Sequence, residues 1–294
     1  MKTNKMHIML MLPFFTAALC GCSGNTSTPR EEIDLSGYTL FSANVESISF
    51  TDGSALDQNW KDGDRIGVFG SEAGNNAEYY LRKSSAGQSE ATFYGELVKG
   101  SIVAYKPFAE GVSLIAGKIP VEIGKNQTYI QGSSFSDVLS GACERLTASL
   151  DNEKLHFLYP AGILAIRFVF DETTDIDALK LTCKSGISGS MLVGEDGVAE
   201  PAADASGEIN LSFGGASIST KYGDVYTAFP FILPPGQYPS GSLTLTILSG
   251  SLESRLSLPA VTVPRADGQN FDVADVAISG MTVPGFDIID GYLE

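Results

Sequence analysis

Residues 155–170 read LHFLYPAGILAIRFVF, and the second half of this stretch decides the fold class. Leu164, Ile166, Phe168 and Phe170 fall on one face of an extended chain and Arg167 on the other, because successive side chains of a strand point to opposite sides. The same period of two returns at Leu243, Leu245 and Ile247, with threonines between them. Strands with one apolar face need a second layer to cover it, which is the pattern of a β-sandwich and not of a parallel sheet buried between helices. Upstream, shorter alternating runs occupy 38–41, 65–69, 78–81, 92–94 and 102–105, each bounded by Gly, Ser, Asp or Pro. Helical periodicity is scarce. The 32 glycines and 13 prolines lie mostly between the apolar runs, as they do where short strands are joined by turns. The chain is therefore predicted to be all-β.

At the N-terminus, Lys2 and Lys5 precede an apolar stretch, 8–20, that is too short to span a bilayer. Small residues follow, which completes the form of a secretory signal peptide. The exit, Leu19-Cys20-Gly21-Cys22, resembles a bacterial lipobox, with Leu three places and Gly one place before the cysteine that is diacylated and becomes the new N-terminus. Cys22 fits that place; Cys20 does not, since Leu19 would then stand just before the cut. The resemblance implies a signal peptide over 1–21, lipidation of Cys22 and an anchor in the bacterial outer membrane. Two or three acyl chains hold a protein durably where one would not.

Removal of residues 1–21 leaves 273 residues, room for two domains. Those residues carry 17 basic and 35 acidic side chains, a formal charge of −18, with no clustered Lys and Arg. Nucleic acid is excluded as a partner on that ground. Residues 22–36 are polar, without apolar periodicity, and read as a tether. The charged stretch at 151–154 marks the expected domain boundary, giving an N-terminal β-sandwich over 37–153 and a C-terminal one, with a terminal tail, over 154–294. Cys143 and Cys183 are the remaining cysteines. An oxidising compartment permits one bridge between them, and two buried thiols fit equally, because spacing alone does not show that their Cα atoms approach.

Trp60-Lys61-Asp62-Gly63-Asp64-Arg65-Ile66-Gly67-Val68-Phe69 resembles the Trp, Gly-Asp and apolar strand of the fimbrillin family of Bacteroidetes lipoproteins, of the Mfa-like and FimA-like kind. Further stations follow in the family's order. Tyr105, Pro107 and Phe108 match its aromatic-Pro-aromatic strand end, Ile119-Pro120 to Gln127 its Pro-to-Gln segment, and Ser136-Asp137-Val138-Leu139 its Asp-containing stretch; 155–170 is similar to the opening of its second domain. The resemblance covers most of 38–250. It implies two tandem transthyretin-like β-sandwich domains, surface display, and adhesion or assembly with other fimbrial subunits through strand exchange. One departure matters. Polymerising fimbrillins commonly have an Arg shortly after the first strand, where cleavage opens a groove, whereas residues 44–59, NVESISFTDGSALDQN, contain no Arg or Lys. Arg30 lies in the tether, where a cut frees the protein from its lipid without opening a sandwich. A tip or anchor subunit, or an accessory lipoprotein, fits better than a repeating stalk subunit.

Read from the residues alone, Asp62-Gly63-Asp64 is a tight turn before a strand, with Trp60 packed over it. A calcium loop from Asp57, Asn59, Asp62 and Asp64 is disfavoured, because Lys61 takes the fifth place and Gly63 comes one residue late. No metal or cofactor is expected, and no catalytic residue is assigned. His156, the one histidine after the signal, sits in a strand between Leu155 and Phe157 without an orienting group, and no G-x-S-x-G, H-E-x-x-H or P-loop occurs. Tyr79, Tyr80, Tyr94, Tyr105, Tyr222 and Tyr226 are candidates either for half-buried strand positions or for an exposed platform of a glycan-binding lipoprotein, whose partner is a host or bacterial surface glycan or protein. In the tail, Val283, Phe286, Ile288 and Ile289 form either an edge strand docked on their own domain or a donor strand for another subunit.

The lipobox reading has a direct check. Cys22→Ala is expected to leave the protein soluble or uncut, and mass spectrometry of the wild-type N-terminus is expected to find acylated Cys22.

Overall fold

Alternation of small or apolar residues with polar ones builds a first sheet of seven strands: Thr39–Val45, Arg65–Gly70, Ala77–Leu81, Glu90–Gly95, Ile102–Lys106, Leu146–Asp151 and Lys154–Phe157. The structure, a computed structural model, describes residues 34–294 except 46, 51, 57–58, 73, 169, 171–172, 221–227, 266–273, 278–281, 284–285 and 288–294. Cys22, Asp57, Tyr222, Tyr226, Ile288 and Ile289 therefore lie outside the described residues. The seven strands close on themselves into a barrel. Neighbours are antiparallel except at the closure, where Thr39–Val45 runs parallel to Lys154–Phe157 with Ala43 opposite Leu155 and Val45 opposite Phe157. Phe41, Ala43, Ile66, Val68, Tyr79, Phe93, Leu155 and Phe157 share the inward parity and are buried.

The all-β class stands, but closure changes the expected organisation. The charged stretch at 151–154 is a two-residue hairpin in which Asn152 and Glu153 both take positive φ, 46° and 66°. Such a turn carries the twist that lets antiparallel strands pair directly, so Lys154–Phe157, expected to open the second domain, pairs with Leu146–Asp151 in the first sheet. Conversely, Ile119–Ile123 and Asn126–Thr128 precede residue 153 yet pair with Gly189–Val193 and Glu208–Ser212. The pairing of strands thus runs both ways across the expected cut.

Three further sheets of three or more strands carry much of the remaining core. One has the order Leu252–Ser257, Leu243–Ser249, Ala178–Cys183, Glu208–Ser212, Asn126–Thr128; a second has Ala228–Leu233, Gly162–Arg167, Ala274–Ala277; a third has Ala199–Pro201, Gly189–Val193, Ile119–Ile123. Phe213, which follows a strand of the first of these, packs on Phe229 of the second at 5.7 Å between centroids, and Phe229 stacks on Phe168 at 5.0 Å. Leu243, Leu245, Ile247, Ile166, Phe168 and Phe170 are all buried.

Gly162–Arg167 is buried on both faces, more than alternation predicts. The cause is a helix, Phe135–Ala142, that lies on this strand and on Ala228–Leu233 and turns Phe135, Val138, Leu139 and Ala142 inward. Its signal stands in the sequence as a capping box: the Ser134 hydroxyl accepts from the Asp137 N–H while the Asp137 carboxylate accepts from the Ser134 N–H. A second cap comes from afar, for Asp52 Oδ2 accepts from the Phe135 N–H at 2.9 Å. Partial burial pushes the Asp52 carboxyl up, but bonds from the Ser54 hydroxyl and the Phe135 and Ser54 N–H groups outweigh it and hold the group below its ordinary range.

Gln127 joins two sheets. Its side-chain oxygen accepts from the Ile232 N–H at 2.9 Å, and its amide nitrogen donates to the Ile232 carbonyl at 2.7 Å and to the Gly124 carbonyl at 3.0 Å. The residue is 2 % exposed, so it imitates one step of a strand ladder in a place water does not reach. Gln127→Ala is expected to cost about 1–3 kcal/mol for each buried backbone group it strands, read as a fall in denaturation midpoint at unchanged slope.

Candidate functional site

Trp60 closes one end of the barrel. Its ring meets Phe93 edge-on at 4.7 Å and Phe157 at 5.6 Å, its indole N–H donates to the Ser89 carbonyl at 3.1 Å, and the Lys106 ammonium lies 4.4 Å from its ring centroid. The turn that follows is fixed by two bonds, Asp64 N–H to the Lys61 carbonyl at 3.0 Å and Lys61 N–H to the Asp64 carboxylate at 2.8 Å. Gly63 takes φ of 88° there, a value that side chains rarely adopt. Trp60, Gly63 and Asp64 thus set the entry into Arg65–Gly70. Among the described residues no group of three or more His, Cys, Asp or Glu side chains is placed to share a metal ion.

Tyr105 points out of the barrel, unlike Trp60, and is fully buried by what covers that side. Its ring lies over Gly67, where any Cβ would collide with it. Its hydroxyl donates to the Ala109 carbonyl at 2.9 Å and meets the Asn76 amide at 3.0 Å, and the Arg145 guanidinium sits 5.0 Å from the ring centroid. Lys106-Pro107 is a cis peptide. Pro107 and Arg145 border an open cavity of about 630 Å³ over the outer face of Ile119–Ile123 and Gly189–Val193, with Glu122, Glu144 and Asp204 also in its wall. Arg145 donates to the Pro120 carbonyl at 2.6 Å, and Asp204 accepts from the Ser190 hydroxyl at 3.1 Å. The wall thus carries three carboxylates, the Ser190 hydroxyl bonded to one of them, and a guanidinium held by a carbonyl, and no His, Cys or Lys is among its lining residues. His156 is half-buried near Glu90 on the outer face of its strand and does not line this cavity.

The opposite side of the barrel is bare. In cross-strand register, Leu40 faces Tyr94, Tyr94 faces Tyr80 and Tyr80 faces Arg65, so these four form one row across four strands. Tyr38 adds its ring edge-on to Tyr94 at 5.5 Å, and Tyr94 lies 5.8 Å from Tyr80 with 33° between planes. Exposure is 46 % for Tyr38, 49 % for Leu40 and 42 % for Tyr80. Tyr79, its neighbour in sequence, points inward and is buried. Parity separates the two tyrosines, and it likewise turns Leu40 outward beside buried Phe41.

Cys143 and Cys183 are free thiols, so the permitted bridge is not formed. Cys143 follows the helix in the core, where burial pushes its thiol up to about 12, while half-buried Cys183 lies 3.1 Å from the Ser185 hydroxyl. In the tail, the backbone at Thr282–Val283 and Phe286–Asp287 pairs as a short hairpin, and Thr282–Val283 lies alongside Leu252–Ser257.

No protein-family model and no curated protein matches the sequence. Among solved structures the chain is similar to fimbrial and adhesion proteins of Bacteroides and Porphyromonas. One is a Bacteroides ovatus protein assigned provisionally to cell adhesion, at 14% identity and TM-score 0.46, covering 87% of this chain and 99% of that one. Another is the tip fimbrial protein Mfa3 of Porphyromonas gingivalis with C-terminal truncation, at 12% identity and TM-score 0.39, covering 86% and 99%. A third is a fimbrial protein of Bacteroides ovatus at 12% identity and TM-score 0.30, of which this chain, matched over 86% of its own length, spans 54%.

The thiol assignment gives a measurable contrast. In the native protein at mildly alkaline pH, iodoacetamide is expected to modify Cys183 and spare Cys143, with both modified after unfolding, as read by peptide mass spectrometry.

Proposed function

We propose that this chain is a non-enzymatic, lipid-anchored cell-surface protein that acts as an adhesive or fimbrial component, and within a fimbrium as a tip, anchor or accessory subunit and not as the stalk. The ordered family stations from Trp60 to Phe170 support the general reading, and Cys22 supports the anchor. The observation that carries the terminal placement concerns the first strand. Thr39–Val45 is paired on both sides within a closed sheet, and the residues after it offer an Arg-specific protease no cleavage point before Arg65. A subunit that cannot shed its first strand accepts no donor strand in that place. It remains able to donate one, and the tail carrying Val283, Phe286, Ile288 and Ile289 is the segment proposed for that role toward other fimbrial subunits. A second reading, a monomeric glycan-binding lipoprotein of the outer membrane, is favoured by one observation, the exposed row from Leu40 to Arg65.

The test is Arg-specific proteolysis of the purified full-length lipoprotein. Cleavage is expected in the tether at Arg30, with residues 38–50 retained and no homopolymer ladder on size-exclusion chromatography or in electron micrographs. Long homopolymers after digestion would overturn the terminal placement.

A further inference from the structure

The barrel wall formed by Thr39–Val45, Glu90–Gly95, Ala77–Leu81 and Arg65–Gly70 exposes aromatic and apolar side chains side by side on its outer face. We infer that its row of Leu40, Tyr94, Tyr80 and Arg65, extended by Tyr38, is a binding platform for a neutral glycan chain. This rests on the adhesive reading and names the chemistry by which adhesion would occur.

Shape comes first. Adjacent strands lie about 4.8 Å apart, so a row crossing four of them is about 14 Å long, and it is one residue wide. Flanking positions on the same face are polar: Ser42, Glu78 and Thr92. A protein partner in a stable complex commonly covers about 800 Å² on each side, and the strip is too narrow to supply an apolar core of that kind. An added β-strand is excluded by topology, because the row crosses the middle of a closed sheet whose backbone groups are already paired. What remains is a narrow ligand that needs side-chain faces and not backbone edges.

Chemistry narrows it further. The negative face of a phenol ring attracts the weakly positive C–H face of a pyranose, and successive tyrosines along a line suit successive sugar rings. Hydroxyl groups at the sugar edge need donors and acceptors, and the row ends on both. The Arg65 guanidinium pairs with Glu78 Oε1 at 2.6 Å, and the Tyr80 hydroxyl donates to Glu78 Oε2 at 2.7 Å. Because these charges are balanced within the site, it offers hydrogen bonds without a net charge. The chain's formal charge of −16 further opposes a sulfated or uronic-acid polymer. The rings are also held before any ligand arrives: Tyr80 by its bond to Glu78, Tyr94 by rings on both sides. Groups already ordered lose less entropy on binding.

The experiment is a glycan array probed with the full mature chain, printed with oligomers of β-1,4-glucan, β-1,4-mannan, xylan and N-acetyllactosamine beside heparin and polygalacturonate. Binding to at least one neutral glycan is expected, insensitive to added salt and weakened about tenfold or more by the double change Tyr80→Ala and Tyr94→Ala, which removes two stacking faces. Leu40→Asp is expected to weaken it as well, and Tyr80→Phe to weaken it less than Tyr80→Ala. Unchanged thermal midpoints confirm that the variants are folded. Three results would overturn the inference: no neutral glycan bound above the level of the double variant, binding confined to the acidic oligomers, or a wild-type dimer in sedimentation that the double variant abolishes, which gives the row to a second copy. Adherence of cells displaying the chain separates the two claims. Adherence that survives the double change rejects the platform and keeps the adhesive reading, whereas glycan binding without adherence keeps the platform and rejects the adhesive role.

Discussion

The parallel contact between Thr39–Val45 and Lys154–Phe157 is the constraint on which the barrel depends. Without it the other six neighbour pairs form an open, twisted sheet with two raw edges. With it every interior position is enclosed, and Trp60 can close the end against Phe93 and Phe157, one ring from each flank of the join. The first strand is then held in register on both sides, by Lys154–Phe157 along one edge and Glu90–Gly95 along the other.

The barrel has two different exteriors. On the Arg65–Gly70, Ile102–Lys106 and Leu146–Asp151 side, Phe69, Val103 and Tyr105 point outward yet are buried, with Arg145, Asn76 and Ala109 around the Tyr105 ring. That packing ties the barrel to the adjoining sheets. On the Thr39–Val45, Glu90–Gly95 and Ala77–Leu81 side the same outward parity presents tyrosines to solvent. Residues of one chemical type, at one parity, thus serve cohesion on one wall and exposure on the other, and the difference lies in what the rest of the chain brings against them.

This explains what could be read in advance. Period-two alternation located the strands, and Trp60, Gly63 and Asp64 announced their turn, because these depend on neighbours in sequence. Partnership across the chain was not legible. Nothing local in Lys154–Phe157 distinguishes a strand that returns to the first sheet from one that opens a second, and the Asn152-Glu153 hairpin reads as a charged linker. The helix Phe135–Ala142 has two local signs, Ser134 with Asp137 and apolar residues at 135, 138, 139 and 142, the spacing of one helical face, but eight residues amount to little more than two turns and are easily passed over between strands. Which of Tyr79 and Tyr80 faces out follows from parity once one inward residue is known. Whether Tyr105 is exposed does not, because Arg145 and Asn76 arrive from elsewhere in the chain.

Outside the barrel, the sheet edges are managed by side chains. Ala228–Leu233 has its outward groups at Ile232 taken by the Gln127 amide, which stands in for a missing strand. On Ile119–Ile123, Pro120 has no N–H to offer and its carbonyl accepts from Arg145, so neither group is left for a further strand at that position. Leu252–Ser257 sets Glu253 and Arg255, paired at 2.6 Å, along its exposed positions, and charged edges resist pairing with another chain. Each of these devices closes a place where a foreign strand would otherwise add. Among the described residues, the molecule is therefore better built to present faces than to receive strands, and any strand it contributes to an assembly has to come from a segment that these sheets have not already claimed.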